Sequence, residues 1–326
     1  MTGVPPDVAI PTIDPVADAI ERPRWSVMIP TYNCSHLAAA TIESVLAQDP
    51  GSPEMEIVVV DDASTDDIEG VVQSFGDRVR LHRQPCNLGV PANLTEAIRL
   101  ARGEIVHLLH GDDQVRAGFY AAMDQAFSDP DVGAAWCRQI FMDHEGQWTA
   151  ISPIEAPEGL IEDVACFLAR QQRIMTPSIC VRRRVYETVG GFHPALRCVE
   201  DWEMWVRIAA RFAVYHVREP LAVYRMHDAS NTGRNLRNAE EVAYARMAIE
   251  LFRHSLPPHR AREVTRAAQE ATALRAAKTG YRLLRGGDRR AALAQARAAL
   301  RLGRSPETIA RTLVLVAGAL TGGIRS

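Results

Sequence analysis

Residues 103–113 read Gly-Glu-Ile-Val-His-Leu-Leu-His-Gly-Asp-Asp, and the reading of this stretch decides the fold. Ile105 to Leu109 is a short, almost unbroken apolar run, closed by Gly103 on one side and by Gly111-Asp112-Asp113 on the other. A run of that length between turn residues reads as a buried strand. It leads directly into two adjacent carboxylates. Charge at the end of a buried parallel strand adds little stability, but it is well placed to hold a divalent cation in the crevice where open α/β sheets take their ligands. Asp is also a favoured helix cap, so the pair taken alone fits a cap on the following helix equally well.

The same pattern recurs towards the N-terminus. Trp25 to Pro30 (WSVMIP) is a buried strand followed by the turn Thr31-Tyr32-Asn33, and Leu37 to Ala47 carries a helical apolar spacing at Leu37, Ile42, Val45 and Leu46. Glu56 to Val60 (EIVVV) is a second strand ending in the carboxylate-rich turn 61–66; Val79 to His82 is a third, and Asn87 to Arg102 is a turn and helix. Strand and helix therefore alternate up to the 103–113 stretch, the signature of a parallel sheet built from βαβ units. Right-handed crossovers place Thr31–Asn33, Asp61-Asp62 and Asp112-Asp113 on one edge of that sheet, which makes three separate motifs one candidate site.

Towards the C-terminus the pattern is less regular. Met123 to Phe127 continues a helix, Val132 to Met142 is a strand, Gly159 to Arg170 a loop and helix, and Thr176 to Val181 a strand. Arg183 to Val189 is a short helix stopped by Gly190-Gly191. Glu200-Asp201 opens a helix with Trp202, Trp205, Ile208 and Ala209 on one face. Phe212 to Val217 and Leu221 to Tyr224 are short strands ending in Arg225-Met226-His227. Beyond about Asn235, Ala, Arg, Leu and Glu dominate, as in an all-helical tail; no second copy of its Ala-rich stretch makes it a repeat array. The expected organisation is a loosely ordered lead-in over 1–23, an α/β domain over 24–234 and a helical region over 235–326.

At 326 residues, 47% hydrophobic and 24% charged with a net charge of -3, the chain is ordinary for a globular protein and is not a general nucleic-acid binder. Its six cysteines are scattered without a Cys-x-x-Cys, so neither a zinc site nor a disulfide scaffold is signalled and a reducing, cytoplasmic setting is expected. Asn33-Cys34-Ser35 and Asn93-Leu94-Thr95 match the glycosylation acceptor pattern; without a signal peptide before them they are expected to be chance. No apolar run reaches the length of a membrane span; the best, Leu313 to Leu320, is too short and reads as a buried helix, its neighbours Arg311 and Arg325 leaving room for at most peripheral contact with the inner face of a membrane.

In order, the chain shows PTYN, VVVDDASTD, Asn87-Leu88-Gly89 with Asn93, LLHGDD, GGF, VEDWEMWVR and YRMH. This ordered set, over about residues 25–230, resembles the family 2 glycosyltransferases of the GT-A fold. The resemblance implies transfer of a sugar from a nucleotide donor, most often a uridine diphosphate sugar, to a saccharide or glycolipid acceptor hydroxyl, with inversion and with a divalent metal, manganese or magnesium. It implies that Thr31 and Tyr32 line the base and ribose pocket, that Asp62 with Asp61 beside it hydrogen-bonds base or ribose, and that Asn87 and Asn93 bound the same pocket. The family's Asp-x-Asp falls on His110, Gly111 and Asp112, so the first carboxylate is replaced by an imidazole, which suits manganese better than magnesium. Asp112 is the main metal ligand on this reading, with His110 and His227 as further ligands. Asp113 would hydrogen-bond the donor sugar or cap a helix, and Arg225 would contact phosphate. Of the acidic pair Glu200-Asp201, Asp201 matches the general base, Trp202 would stack on the acceptor sugar, and Trp205 would belong to the core. Synthesis of a surface polysaccharide or glycoconjugate, and a homodimer through the helical tail, fit the same reading.

Two rivals remain at this point. A metal-dependent nucleotidyltransferase also uses acidic strand ends, but it brings a Gly- and Arg-rich loop where this chain has Thr31-Tyr32-Asn33-Cys34-Ser35. A non-catalytic sugar-nucleotide or glycan-binding module would explain the missing first Asp but not the intact Asp112 and Asp201. A dinucleotide-dependent dehydrogenase is disfavoured, because no G-x-G-x-x-G follows the first strand.

Overall fold

Seven consecutive buried residues in each of two strands set the centre of the molecule: β1 (Trp25–Thr31) and β2 (Met55–Asp61). Such continuous burial is what a parallel strand covered on both faces requires. The computed structural model describes residues 8–17, 21–226 and 237–321. With β3 (Arg80–Arg83) and β4 (Ile105–Leu108), these strands form a parallel array in the order β3-β2-β1-β4. The helices α1 (Ser35–Leu46), α2 (Ile68–Gln73) and α3 (Val90–Leu100) lie between successive strands in the chain. Thr31 pairs in register with Asp61, and beyond the end of β4 the amides of Leu109 and Gly111 donate to the carbonyls of Met28 (2.9 Å) and Pro30 (3.1 Å). The three polar strand ends therefore share one sheet edge, as the crossover rule requires.

The chain continues through β5 (Gln114–Val115), α4 (Phe119–Ala126), β6 (Val132–Met142), β7 (Trp148–Ile151), β8 (Gly159–Leu160), α5 (Val164–Ala169), β9 (Ile179–Arg182), α6 (Arg183–Val189), α7 (Glu200–Ala209) and β10 (Ala213–Arg225). These strands extend the sheet as β4-β9-β6-β10-β5, with β9 antiparallel to both of its neighbours and β6 parallel to β10. Three sequence expectations are corrected here. The helix after Asp112-Asp113 begins only at Phe119 behind Gly118, so neither carboxylate caps it. The two short strands expected over 212–224 are one strand with register shifts on either side of Pro220, which has no N–H to keep the ladder regular. The strand expected from Thr176 begins at Ile179, after a tight helical turn that contains Pro177.

Within the stretch read as a loose lead-in, residues 10–14 meet the core: Ile13 is buried, the amide of Gly191 donates to Pro11 O, and an Arg183 Nη2 donates to Asp14 O. After residues 227–236 follow α8 (Glu240–Arg253), α9 (Pro258–Arg285), α10 (Arg289–Leu302) and α11 (Pro306–Thr321). The expected boundary at 234/235 and His227 lie outside the described residues. Helix α8 and the first half of α9 share one apolar core with the sheet domain: Ala245, Ile249, Phe252, Val264 and Ala268 sit in the same cluster as Trp202, Trp205 and Val106. The rings of Trp202 and Phe252 meet edge-on at 5.2 Å. Smaller clusters, built largely from alanine, join α10 and α11 to α9.

Candidate functional site

The loops at the ends of β1 and β2 are laced together by short polar side chains. The amide of Asn33 donates to Ser64 Oγ (2.9 Å), the amide of Thr65 to Asn33 Oδ1 (2.8 Å) and the amide of Ser35 to Asp66 Oδ2 (2.7 Å). Asp61 is fully buried and accepts from the Ser64 amide and hydroxyl and from Arg83 Nε. Both oxygens of Asp62 accept backbone N–H groups, from Leu88 (2.7 Å) and Gly89 (2.9 Å), so this carboxylate fixes the 87–89 loop. Asn87 donates to Asp62 O. Asn93 is buried and its amide is committed to Val60 O and to Gln84, so it braces the wall rather than opening into a pocket. Tyr32 is half exposed beside this wall, and the hydroxyl of the buried Thr31 has no hydrogen-bond partner among the described residues.

At the end of β4 the chain turns tightly, with the amide of Asp113 donating to His110 O, and His110, Asp112 and Asp113 gather their side chains. One ligand atom from each lies within 4.8 Å of the other two. Oδ1 of Asp113 accepts the Arg225 amide (2.8 Å), which ties this turn to the end of β10, while Oδ2, 3.7 Å from His110 Nδ1, and the His110 Nε2 are buried with no hydrogen-bond partner among the described residues. Burial works against a charge on His110, but Asp113, Asp112 and Glu200 outweigh it and raise the imidazole to about 9. Burial, with Asp112, raises Asp113 to about 6. The Arg225 guanidinium donates to Asp112 O and Asp143 O and so braces the same turn.

Helix α7 carries the second acidic group. Its N-terminal neighbour Val199 has φ +57°, a left-handed backbone that β-branched residues avoid, and three acids occupy the first turn, where the helix dipole favours them. Such strain marks functional sites when the surroundings enforce it. Asp201 accepts the Trp202 amide (2.7 Å) and both of its oxygens accept from Gln172 Nε2 (2.9 and 3.1 Å). Glu200 is buried and its Oε2 has no hydrogen-bond partner among the described residues. Burial pushes both carboxyls up; Glu200 reaches about 8, with Asp201 adding to the effect, while hydrogen bonds hold Asp201 to about 6. The two carboxyls are thus raised to different extents, Glu200 the further, and a pair whose surroundings push its members apart is the usual sign of an acid–base assignment. Trp202, expected to stack on a sugar, is instead buried against Phe252 with its Nε1 donating to Leu168 O; Trp205 is in the core as expected.

Electrostatic contact joins the three regions. Gly111 of the β4 turn lies against the side chains of Thr31 and Cys34, so the loop after β1 adjoins that turn; burial, with Asp112, Asp66 and Asp61 adding to the effect, holds the Cys34 thiol up at about 12. Glu200 acts on His110, and His110 acts on Asp201. Sequence reasoning did not find Gln172, and no local signal identifies it: it stands 29 positions before Asp201 in an irregular segment.

The profile described as "Glycosyl transferase family 2" matches residues 26–190. An uncharacterized protein of Mycobacterium tuberculosis is 29% identical over 228 residues, covering 65% of this chain and 70% of its own length. Chondroitin synthase of Escherichia coli is 26% identical over 204 residues, 60% of this chain and 28% of that protein. Among solved structures, the mannosyltransferase PcManGT of Pyrobaculum calidifontis, in complex with GDP-Man and Mn2+, superposes with a TM-score of 0.59 at 22% identity, over 96% of this chain and 84% of that one. The curled, mostly parallel sheet is thus the GT-A fold. With a profile match across half of its length, the chain belongs to glycosyl transferase family 2.

Proposed function

We propose that this glycosyltransferase moves a sugar from a nucleoside diphosphate donor to an acceptor hydroxyl with inversion, using Asp201 as general base and a divalent cation at His110, Asp112 and Asp113. The observation that carries the reading is the gathering of His110, Asp112 and Asp113 within 4.8 Å of one another at the end of β4, with the buried acidic pair at the start of α7 in electrostatic reach of His110. The donor set fits a cation: one imidazole and two carboxylates, two of whose buried atoms have no hydrogen-bond partner among the described residues, and the carboxyls that hold a proton on His110, Asp113 at 3.7 Å, would hold a metal ion in its place. The imidazole favours Mn2+ over Mg2+. When bound, such a cation would neutralise charge on the departing diphosphate.

The remaining chemistry belongs to the chain itself. Asp201 accepts the proton of the acceptor hydroxyl while that oxygen bonds to the anomeric carbon; the bond from that carbon to the diphosphate oxygen breaks, and its electron pair leaves with the nucleoside diphosphate. Glu200, whose carboxyl burial raises well above its ordinary range, would donate a hydrogen bond to the acceptor when protonated. Tyr32 and the free Thr31 hydroxyl would meet the base and ribose, and the loop held by Asp62 would close that pocket. The inward-facing Trp202 leaves acceptor stacking to other residues.

For the acceptor, synthesis of a polysaccharide or glycolipid fits best. On α11 the exposed residues Ile309, Leu313, Val314 and Leu320 form an apolar face, and residues 282–311 carry eight arginines against two acids. That combination suits a peripheral contact with an anionic lipid surface; self-association through the same face is the competing use. Among the described residues no helix is long and apolar enough to cross a membrane. Release of nucleotide from a panel of UDP-, GDP- and dTDP-sugars, with and without Mn2+, tests the reading. Metal-stimulated release from one donor is expected; release from none, with tight donor binding, would leave a binding module.

A further inference from the structure

We propose that Arg275, on α9 outside the sheet, is a positioning residue that acts through Gln172 to aim the Asp201 carboxylate into the crevice. The inference rests on the reading of Asp201 as the base. Gln172, in the segment between α5 and β9, donates through Nε2 to both oxygens of Asp201, and its Oε1 accepts from Arg275 Nη1 (3.1 Å). Chemistry alone fixes the direction of this relay. A guanidinium has only donors, so it must face the amide oxygen; an ionised carboxylate has only acceptors, so it must face the amide nitrogen. Without Arg275 the amide is free to turn its oxygen towards Asp201, which would repel the carboxylate and leave it, among the described residues, one N–H donor, the Trp202 amide.

Several titratable groups of the described residues face Asp201. Glu200 adjoins it on α7, His110 approaches from the β4 turn, Arg275 from α9, and Cys198 precedes it. Glu241 on α8 is a further charged neighbour of Arg275. Burial pulls the Arg275 guanidinium down, and the neighbouring Glu241, Cys198 and Asp201 only partly offset this. As a stability device a charge placed this way gains little, since an apolar side chain of similar volume commonly does as well. What it supplies is orientation. The helical tail thereby contributes to the chemistry although it lies beyond the profile match.

The test uses the full chain, with nucleotide release from UDP-N-acetylglucosamine and GDP-mannose in Mn2+ followed between about pH 5 and pH 9. Arg275→Ala and Gln172→Ala are each expected to lower kcat about tenfold and to move the acid limb of the profile upward by about one pH unit, with the donor KM unchanged. Arg275→Lys should restore most of the rate, and the double variant should be no worse than Gln172→Ala alone. A role in stability alone would lower the melting temperature and leave the limb in place. Wild-type limbs in both alanine variants overturn the proposal. Should Arg275→Ala not fold, Gln172→Ala, which removes no side chain of the tail, decides it by the same limb. Full activity in Asp201→Asn would instead remove the assignment of the base, whatever the other variants do.

Discussion

Gly111 lies so close to Thr31 that a Cβ on the glycine would stand 2.5 Å from Thr31 Cγ2, and 2.9 Å from Cys34 Sγ. The turn bearing Asp112 is therefore pressed onto the end of β1, where Thr31 is buried and branched at Cβ and cannot swing aside. Gly111→Ala should displace the His110–Asp113 turn. We expect an increase of about tenfold in the Mn2+ concentration needed for half-maximal nucleotide release, with a loss of about 1–3 kcal/mol in stability. Metal titrations and urea melts of the same preparation would measure the two effects separately.

Asp201→Asn should bind donor as the parent does and lose transfer by about a thousandfold or more, because the proton then has no acceptor. Asp112→Ala should instead weaken metal-dependent donor binding, read by calorimetry. In the parent protein the rate should rise with pH as the Asp201 carboxyl ionises near 6, where burial has placed it. An acid limb below about 4, the range of an ordinary aspartate, would show that another group is the base.

Trp202→Ala should behave as a core lesion. The ring packs on Phe252 and its indole N–H is held by Leu168 O, so the variant should lose about 3–5 kcal/mol of stability. A variant of unchanged melting temperature with a raised acceptor KM would place the ring in the acceptor site after all.

Glu241→Gln should change how stability depends on pH. Burial raises this carboxyl from 4.5 to about 7. The sign follows from which state holds the proton. Between those values the folded chain keeps it and the unfolded chain loses it, so the stabilisation is complete below about 4.5 and lost as pH rises through about 7. The glutamine variant has no such proton, so relative to the parent it should gain up to about 3 kcal/mol between pH 4.5 and pH 8. Denaturant melts across that range check it; parallel curves would mean that Glu241 titrates normally.

Leu313→Glu with Val314→Glu should abolish sedimentation with vesicles containing phosphatidylglycerol while nucleotide release in solution is unchanged. Binding by the parent should weaken as salt is raised, because the arginines of residues 282–311 supply the attraction. If the parent ignores vesicles and the double variant turns a dimer into a monomer, the face serves self-association.

Much of this site was legible because its parts sit at strand ends. The apolar runs 25–30, 56–60 and 105–109 announce strands, and the edge rule alone brings Thr31, Asp61 and Asp112 together. What could not be read depends on distant partners. Asp113 would look like a helix cap to anyone who could not see the Arg225 amide, 112 positions away, that takes its Oδ1. Trp202 and Trp205 are three apart on one helix face, so both suit a core or a platform; the choice was made by Phe252, which belongs to the tail. Gln172 and Arg275 carry no motif, since an amide and a guanidinium acquire meaning only from what they touch. Asn93 looked like a ligand-facing residue because side-chain amides suit both pockets and braces, and the burial that decides between them is tertiary.

The edge-on contact of Trp202 with Phe252 has a bearing on how such an enzyme diversifies. A segment cut at the end of the family match would lose both the proposed base and the wall behind it, so a minimal catalyst cannot be carved out along that boundary. Conversely, substitutions on the outer helices can travel through this shared packing and shift the reactivity of the crevice, which opens a route to new specificity that leaves every donor-facing residue untouched.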